Sequence, residues 1–345
     1  MSTGAFRSAD GGDASGTHVT NEGRLPGGAQ RRRFTDGRWH FQHGPIDCII
    51  GAEGDRDAID DAVERAWVRF GGVLGELVSE LPLLRIDLAS PEGAAVAPKG
   101  SIALRMVAAC RAHAADGRFI TAMAAVAGSV AEELIAVFDD PRILRAYVNN
   151  GGDIALHLGA GASFEIGIVA NPEHARGGAA PAGRLRVDAA SGVRGIATSG
   201  WRGRSFSLGI ADSVTVLAAT ASAANAAATV IANAVDADDL RIRRAPASSV
   251  SDDSDLGERL VTCDVPALDA TTVARALAAG AAEAQAQIDA GRACAAALCL
   301  QGRMRTCEEE AAFGTLANGC HGARRPAVVS RVATIRPLAP PSMRM

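Results

Sequence analysis

Arg145-Ala146-Tyr147-Val148-Asn149-Asn150-Gly151-Gly152-Asp153-Ile154-Ala155-Leu156-His157-Leu158 is the stretch at which this chain changes period. Upstream of it, apolar residues recur at helical spacing. Here Tyr147-Val148 and then residues 154–158 run apolar or alternate over short lengths bounded by glycine, which is strand chemistry. Glycine between two strands serves a backbone at φ > 0 or in close approach to another group, and Asp153 sets a carboxylate at the start of the second strand. Two readings stand together. Asn150-Gly151 is a type I′ hairpin signal that needs no ligand, and the same turn can wall a ligand site.

Working outward toward the N-terminus, Trp39, Phe41 and residues 46–50 give a strand-like start, followed by a predicted turn at Gly51-Ala52-Glu53-Gly54. From Asp57, the positions Ile59, Ala62, Val63, Ala66, Trp67 and Phe70 predict a helix. Its pattern resumes after Gly71-Gly72 and ends at Leu81-Pro82. Further helices are expected over 101–115 and 122–138. Toward the C-terminus, a Gly/Pro-rich connection at 171–183 precedes short strands at 185–187 and 194–197. Residues 213–217 read as a strand running into an Ala-rich helix over 221–235. A polar loop at 245–257, a strand at 260–265, a helix at 271–290 and a closing strand at 295–300 complete the pattern. Helices mixed with short strands, without regular alternation, give an α+β fold of mixed sheets packed with helices. One compact domain is expected over 38–302. Residues 1–37 and 303–345 are rich in Gly, Arg, Ser or Pro without sustained period, and read as flexible tails.

The chain has 345 residues, 48% of them hydrophobic, enough to bury a sizeable core. Its 35 basic and 39 acidic side chains leave a net charge of −4, so no excess positive charge marks a nucleic-acid or anionic-membrane partner. The opening MSTGAFRSADGGDASGTHVT lacks the apolar core of a secretory signal, giving a cytoplasmic expectation. Residues 120–138 are the most apolar stretch, but Glu132 and Glu133 interrupt it, so a buried helix fits better than a membrane span. The seven cysteines, at 48, 110, 263, 294, 299, 307 and 320, include no Cys-x-x-Cys pair and read as reduced thiols.

The loop 194–204 holds Arg194, Arg202 and Arg204 with Thr198, Ser199, Gly200 and Trp201. Guanidinium groups, hydroxyls and free backbone N–H groups could cradle an anion, and Trp201 could stack on a ring; the alternative is a solvated basic loop. His40 and His43 have metal-like spacing, although on a strand their rings point to opposite faces. Asp252-Asp253-Ser254-Asp255 reads as a solvated turn, and the Ala-rich helix at 221–235 either packs inside the domain or meets a second copy in a homodimer.

The segments VNNGGDIALHL, ATSGWRGRSFSLGIADSVTVLA and AANAAATVIANAV resemble successive signatures of the ApbE-like superfamily, whose best-known members transfer FMN from FAD onto a Thr or Ser of a target protein with Mg²⁺. HFQHGPIDCIIGAEG, MVAACRAH, RFITAMAAVAGSVAEEL and VNNGGDIAL resemble more closely a separate, mostly cytoplasmic branch, for which the resemblance implies no particular reaction. The likeness spans roughly residues 40–302. It places the family's Gly-Gly-Asp turn on Gly151, Gly152 and Asp153, and its Thr-Ser-Gly loop on Thr198, Ser199 and Gly200. Where the transferases carry His-Ile-Ile-Asp-Pro, this chain has Phe206-Ser207-Leu208-Gly209-Ile210-Ala211-Asp212. Where their metal helix carries Asp and Thr, this chain has Asn225 and Thr229; a neutral amide is a poorer ligand for Mg²⁺ than a carboxylate.

The resemblance therefore implies an ApbE-like enzyme, transferase or hydrolase, acting on a small anionic or ring-bearing substrate of nucleotide or flavin type. Asp153 and Ser199 are its candidate catalytic residues. Asn149, Asn150, Gly151, Gly152, Thr198, Gly200, Trp201, Arg202, Arg204, Arg105, Thr121 and Met123 are candidate ligand contacts, with Arg111 and His113 also implied to face the site. Asp212 and Thr229 are candidate ligands of a divalent metal, weakened by Asn225. A non-catalytic flavin or nucleotide carrier or regulatory module is the alternative, and Mg²⁺-dependent FMN transfer stands behind both.

Overall fold

The computed structural model describes residues 22–25, 27–168, 183–203 and 205–308. Over these the chain runs β1 (Glu22–Arg24), β2 (Gln30–Arg33), β3 (Trp39–His43), β4 (Ile46–Gly54), α1 (Arg56–Leu84), α2 (Ser101–Ala115), α3 (Val126–Ile135), β5 (Ile143–Asn150), β6 (Asp153–Leu158), β7 (Ser163–Ile168) and β8 (Gly183–Asp188). It continues through β9 (Gly195–Ser199), β10 (Ser213–Ala218), α4 (Ala221–Ala234), β11 (Arg243–Pro246), α5 (Ala247–Val250), β12 (Leu260–Asp264), α6 (Ala270–Asp289), β13 (Ala295–Leu300) and β14 (Arg303–Glu308). Ten strands form one sheet in the order β1-β2-β3-β4-β5-β6-β9-β10-β13-β14, its neighbours all antiparallel, and β7-β8 and β11-β12 form two small hairpins. The α+β expectation holds.

The central strands read as apolar runs because both of their faces are covered. Ala146, Val148 and Ala155 point into a core with α1, α2 and α3, while Val214, Val216 and Leu298 point into one with α4 and α6. Tyr147, Ile154, Leu156 and Ile196 point the other way, against Phe164, Ile166 and Val187 of the β7-β8 hairpin. Burial on both faces removes the polar alternation that marks a half-exposed strand. Gly151 and Gly152, at φ 65° and 114°, make the tight turn that sets Asn150 opposite Asp153.

Alanine is what lets α4 occupy the middle of the molecule. It packs against β9 and β10 and against α2, α3 and α6. Ala221, Ala224, Ala226, Ala227, Ala228 and Ala232 are all fully buried. The helix is thus an interior element and not a face left open for a second copy. Thr220 caps it, accepting from the Ala223 backbone N–H at 3.2 Å.

Several boundaries differ from the sequence expectation. The sheet begins inside the segment read as a tail: β1 and β2 lie within residues 1–37, and Arg31 sits over the Trp39 and Trp67 rings at 5.4 and 5.3 Å while pairing with Glu64. Gln30-Arg31-Arg32-Arg33 looks like a charge run because its packing is made by cations on aromatic faces. β14 likewise extends the sheet past residue 302, as an exposed, charged edge strand. Gly51 to Gly54 is strand and not turn; a Cβ at Gly51 would lie 2.6 Å from the Tyr147 ring, so glycine there makes room for the neighbouring strand. α1 is one continuous helix of 29 residues, with Leu25 packed where a Gly71 side chain would stand. The loop at 245–257 contains the end of β11 and the short α5.

No helix among the described residues is long and apolar enough to cross a membrane. Burial pushes the Cys110 thiol up and carries Cys299 to about 11, so neither is a thiolate at neutral pH.

His113, at the end of α2, is buried with its Nδ1 unpartnered. Burial first, then the cations Arg292 and Arg118, depresses its pKa from 6.5 to about 4. The folded protein thus keeps this ring neutral while the unfolded chain takes up a proton below 6.5, so stability present above pH 6.5 is lost as pH falls toward 4. Urea titrations should show a loss of roughly 3 kcal/mol over that window assignable to this group. The matching His113→Gln variant should lack that part of the slope; an identical slope in the variant would refute the assignment.

Candidate functional site

Where β5 turns into β6, the side chains of three elements lock together. Asn150 Oδ1 accepts from the Asp47 backbone N–H at 3.3 Å, and its Nδ2 donates to Ala127 O at 3.2 Å. At the next residue of α3, the Gly128 N–H donates to Asn225 Oδ1 of α4 at 3.1 Å. The helices approach this closely because residue 128 is glycine: a Cβ there would lie 2.2 Å from Ala221 O. Asn149 Oδ1 accepts from Gly152 N at 2.8 Å, bracing the turn, and Asp153 Oδ1 accepts from Thr198 N at 3.1 Å, tying the turn to β9.

These groups wall a cavity of about 580 Å³. Of the residues put forward from the sequence, Asn149, Asn150, Gly151, Gly152 and Asp153 line it from the hairpin, Thr198, Ser199 and Gly200 from the end of β9, Thr121 and Met123 from the approach to α3, Asp212 from the approach to β10 and Thr229 from α4. Thr121 stands at the start of the short turn over 122–125, but its side chain makes no capping bond there. Its hydroxyl donates to Asp255 Oδ2 at 2.5 Å, across 134 residues of chain.

The arginine cradle does not form among the described residues. Arg105 is held by Glu132 and Glu133, each at 2.9 Å. Arg202 pairs with Asp212 at 3.0 Å and lies over the Trp201 ring at 4.4 Å, so the guanidinium and indole stack on each other outside the cavity lining. Arg194 and Arg111 are spent on backbone carbonyls, Arg194 on Ala189 and Val193 and Arg111 on Ala94 and Val96. His113 is buried away from the site, and Arg204 lies outside the described residues. No Arg, Lys or His among the described residues lines the cavity, whereas Asp47, Asp153, Asp212 and Asp255 do. Sequence spacing could not show that each of these described arginines had an acid or a carbonyl within reach.

The residues proposed for a divalent metal do not fit one. Asp212 accepts from Arg202 on one oxygen and from the Gln301 backbone N–H, at 2.5 Å, on the other. Asn225 Oδ1 is taken by Gly128, and the Thr229 hydroxyl donates to Asn225 O at 3.1 Å. Among the described residues no cluster of three or more His, Cys, Asp or Glu side chains is placed to hold a cation. His40 and His43 also diverge: His40 Nε2 meets Asp47 Oδ1 at 3.0 Å, while His43 Nε2 meets Gly27 O at 2.8 Å.

Sequence reasoning missed Asn233, which lines the cavity with Asn225 and Thr229. The signal was present. In the Ala-rich helix, Asn225, Thr229 and Asn233 recur every fourth residue, a polar stripe along one face. Asp47 was passed over inside an apolar strand, and Asp255 inside an acidic run that read as solvated.

A ten-stranded antiparallel sheet, layered with helices and with a polar-walled cavity beside the β5–β6 turn, defines an α+β class of domain. The family model described as AbpE bacteria matches residues 31–306, and the chain belongs to this ApbE-related family. It is 39% identical over 134 residues to the UPF0280 protein MK0206 of Methanopyrus kandleri, covering 39% of this chain and 51% of that one. It is 34% identical over 173 residues to a UPF0280 protein of Methanothermobacter thermautotrophicus, covering 49% and 63%. With MJ1526 of Methanocaldococcus jannaschii it shares 39% identity over 113 residues, 32% and 43% of the two chains. The chain spans about half the length of the curated relatives it matches.

The close contact of α3 with α4 gives a direct test. Gly128→Ala should cost at least about 2 kcal/mol in urea unfolding, since the added methyl meets backbone that cannot turn aside. Gly75→Ala on α1, with open space around the site, should instead stabilise by up to ~1 kcal/mol. Equal effects at the two positions would contradict the packing described.

Proposed function

We propose that this chain is a cytoplasmic enzyme of ApbE-like fold, from the branch apart from the flavin transferases, that acts on a small ring-bearing molecule of flavin or nucleotide type. The observation that carries this reading is the cavity of about 580 Å³, in which groups from both halves of the chain converge. Its volume falls among those of small-molecule sites, roughly 300–1,000 Å³. Ile49, Ile120, Met123 and Phe206 offer apolar surface for a ring, and Asp153, Thr198 and Ser199 offer polar groups beside it. Asp153 orients a polar group of the ligand, and Ser199 supplies the hydroxyl nearest the turn of the chain at Gly200. Among the described residues Arg105, Arg111, Arg194 and Arg202 are paired elsewhere, which favours the ring and its substituents as the recognised part.

A second reading, a non-catalytic carrier or regulatory module, is supported by the same donor set. The groups that would hold Mg²⁺ are committed to protein partners, so a ring could be bound without metal-dependent turnover.

Thermal unfolding with riboflavin, FMN, FAD or AMP, each in Mg²⁺ and in EDTA, tests the proposal. A ring ligand at a hundredfold excess over its Kd should add about 3 kcal/mol of stability, equally in Mg²⁺ and EDTA. Asp153→Asn, which keeps the oxygen that accepts from Thr198, should weaken binding or turnover. No stabilisation by any of the four would sink the proposal, and Mg²⁺-dependent cleavage of FAD to FMN and AMP would reassign the protein to flavin transfer. Binding without turnover of any bound ring selects the carrier.

A further inference from the structure

The turn from β5 to β6, the end of β9 and the polar stripe on α4 give the cavity walls of sheet and helix. Another part of its wall is loop against loop. Ser254, Asp255 and Leu256, from the span joining β11 to β12, stand there with Phe119, Ile120 and Thr121, from the approach to α3.

The base of that span is fixed. Ala247 and Val261 are fully buried, the Ala247 N–H donates to Arg259 O at 2.9 Å, the Thr262 N–H donates to Ser207 O at 2.9 Å, and Arg244 Nη1 donates to Leu208 O at 2.5 Å. Its tip is built differently. Residues 249–253 and 257–260 are exposed and residues 254–256 half-buried. Among the described residues no backbone–backbone hydrogen bond runs from 248–258 to the first half of the chain. Side chains hold the tip there instead. Arg85 Nη2 donates to Asp253 O at 2.6 Å, and Thr121 Oγ1 donates to Asp255 Oδ2 at 2.5 Å. At the edge, Arg259 meets Asp87 at 3.6 Å and lies over the Phe119 ring at 3.4 Å. Within the tip, the Ser248 N–H donates to Gly257 O at 2.8 Å and the Ser254 N–H to Ser251 O at 3.1 Å, so it holds its own shape. A segment with a fixed base, an exposed tip and fixings that water can replace opens at a lower free energy than the sheet and helices behind it.

We propose that residues 248–258 are a hinged lid on the cavity, turning about the paired Ala247 and Arg259 and latched by Arg85, Thr121 and Arg259. Closed, the lid supplies Ser254, Asp255 and Leu256 to the wall. Open, it withdraws all three and releases the buried Thr121 hydroxyl from Asp255. This assignment rests on the reading of the cavity as a small-molecule site, and it gives the acidic run at 252–255 a purpose, since Asp253 and Asp255 are the residues the latch grips.

Hydrogen exchange and thiol labelling of the full chain test the lid. Exchange at 248–258 should outpace that of β12 and α4. Arg85→Gln, outside the cavity lining, should speed it at least roughly twofold further while the urea midpoint stays near that of the unmodified protein. A thiol inside the cavity then reads access: in a Ser199→Cys background, fluorescein maleimide should modify position 199 faster by a similar factor once Arg85→Gln is added, as followed by peptide mapping. Met123→Cys carries the same comparison should Ser199→Cys fail to fold, and Arg259→Gln does so should Arg85→Gln fail. Exchange at 248–258 no faster than in β12, or unmoved by the arginine variant, overturns the lid. So does faster exchange with unchanged labelling, which makes the segment mobile without making it the entrance. The thiol reads access whether or not a ring is held, so a failure of riboflavin, FMN, FAD and AMP to bind overturns the ring reading alone, and these rates decide the lid.

Discussion

The Gly128 N–H donating to Asn225 Oδ1 holds the site together. It is made where two helices touch with almost nothing between them, glycine on one and alanine on the other. One residue earlier, Ala127 O receives the Asn150 amide, so the start of α3 is bound at once to the sheet and to α4. Neutral hydrogen bonds of this kind contribute modestly one by one, but a buried polar group left without its partner costs more than the bond contributes. The three elements are therefore fixed as a set. The alanines of α4, the glycine at 128 and the asparagines at 150 and 225 serve one contact.

Electrostatics around the cavity follow from the same economy of space. Among the described residues Arg105, Arg111 and Arg194 pair with carboxylates or carbonyls outside it, and the carboxylates that reach it are partly engaged: Asp153 by Thr198, Asp212 by Arg202 and Gln301, Asp255 by Thr121. What faces inward is a set of amides, hydroxyls and partly engaged carboxylates beside apolar side chains.

The secondary structure of the central region was legible because its signals are local. α2 begins and ends where its periodicity does, and Asn150-Gly151-Gly152-Asp153 forms the turn its composition calls for. Its two readings were not rivals, since the hairpin is itself a wall of the cavity. What escaped depends on partners far away in sequence. Arg31 to Arg33 become strand because Trp39 and Trp67 receive a cation, Arg105 is withdrawn by Glu132 and Glu133, and Asp255 reaches the cavity through Thr121. Asn233 is different. Its four-residue spacing from Thr229 was visible, but a stripe of small polar residues on an alanine helix has no meaning until one knows which face the sheet takes.

The pairing of β4 with β5 places Cys48 opposite Asn150, and the Thr121 hydroxyl meets Asp255 across 134 residues. No contiguous fragment of the chain contains the cavity. Contacts so distant along the chain close late, because the entropy of the intervening loops must be overcome before they form. The cavity therefore comes into being only as the last parts of the sheet and helices dock. An intact cavity reports on the whole native state, and a nascent or partly folded chain does not yet contain it.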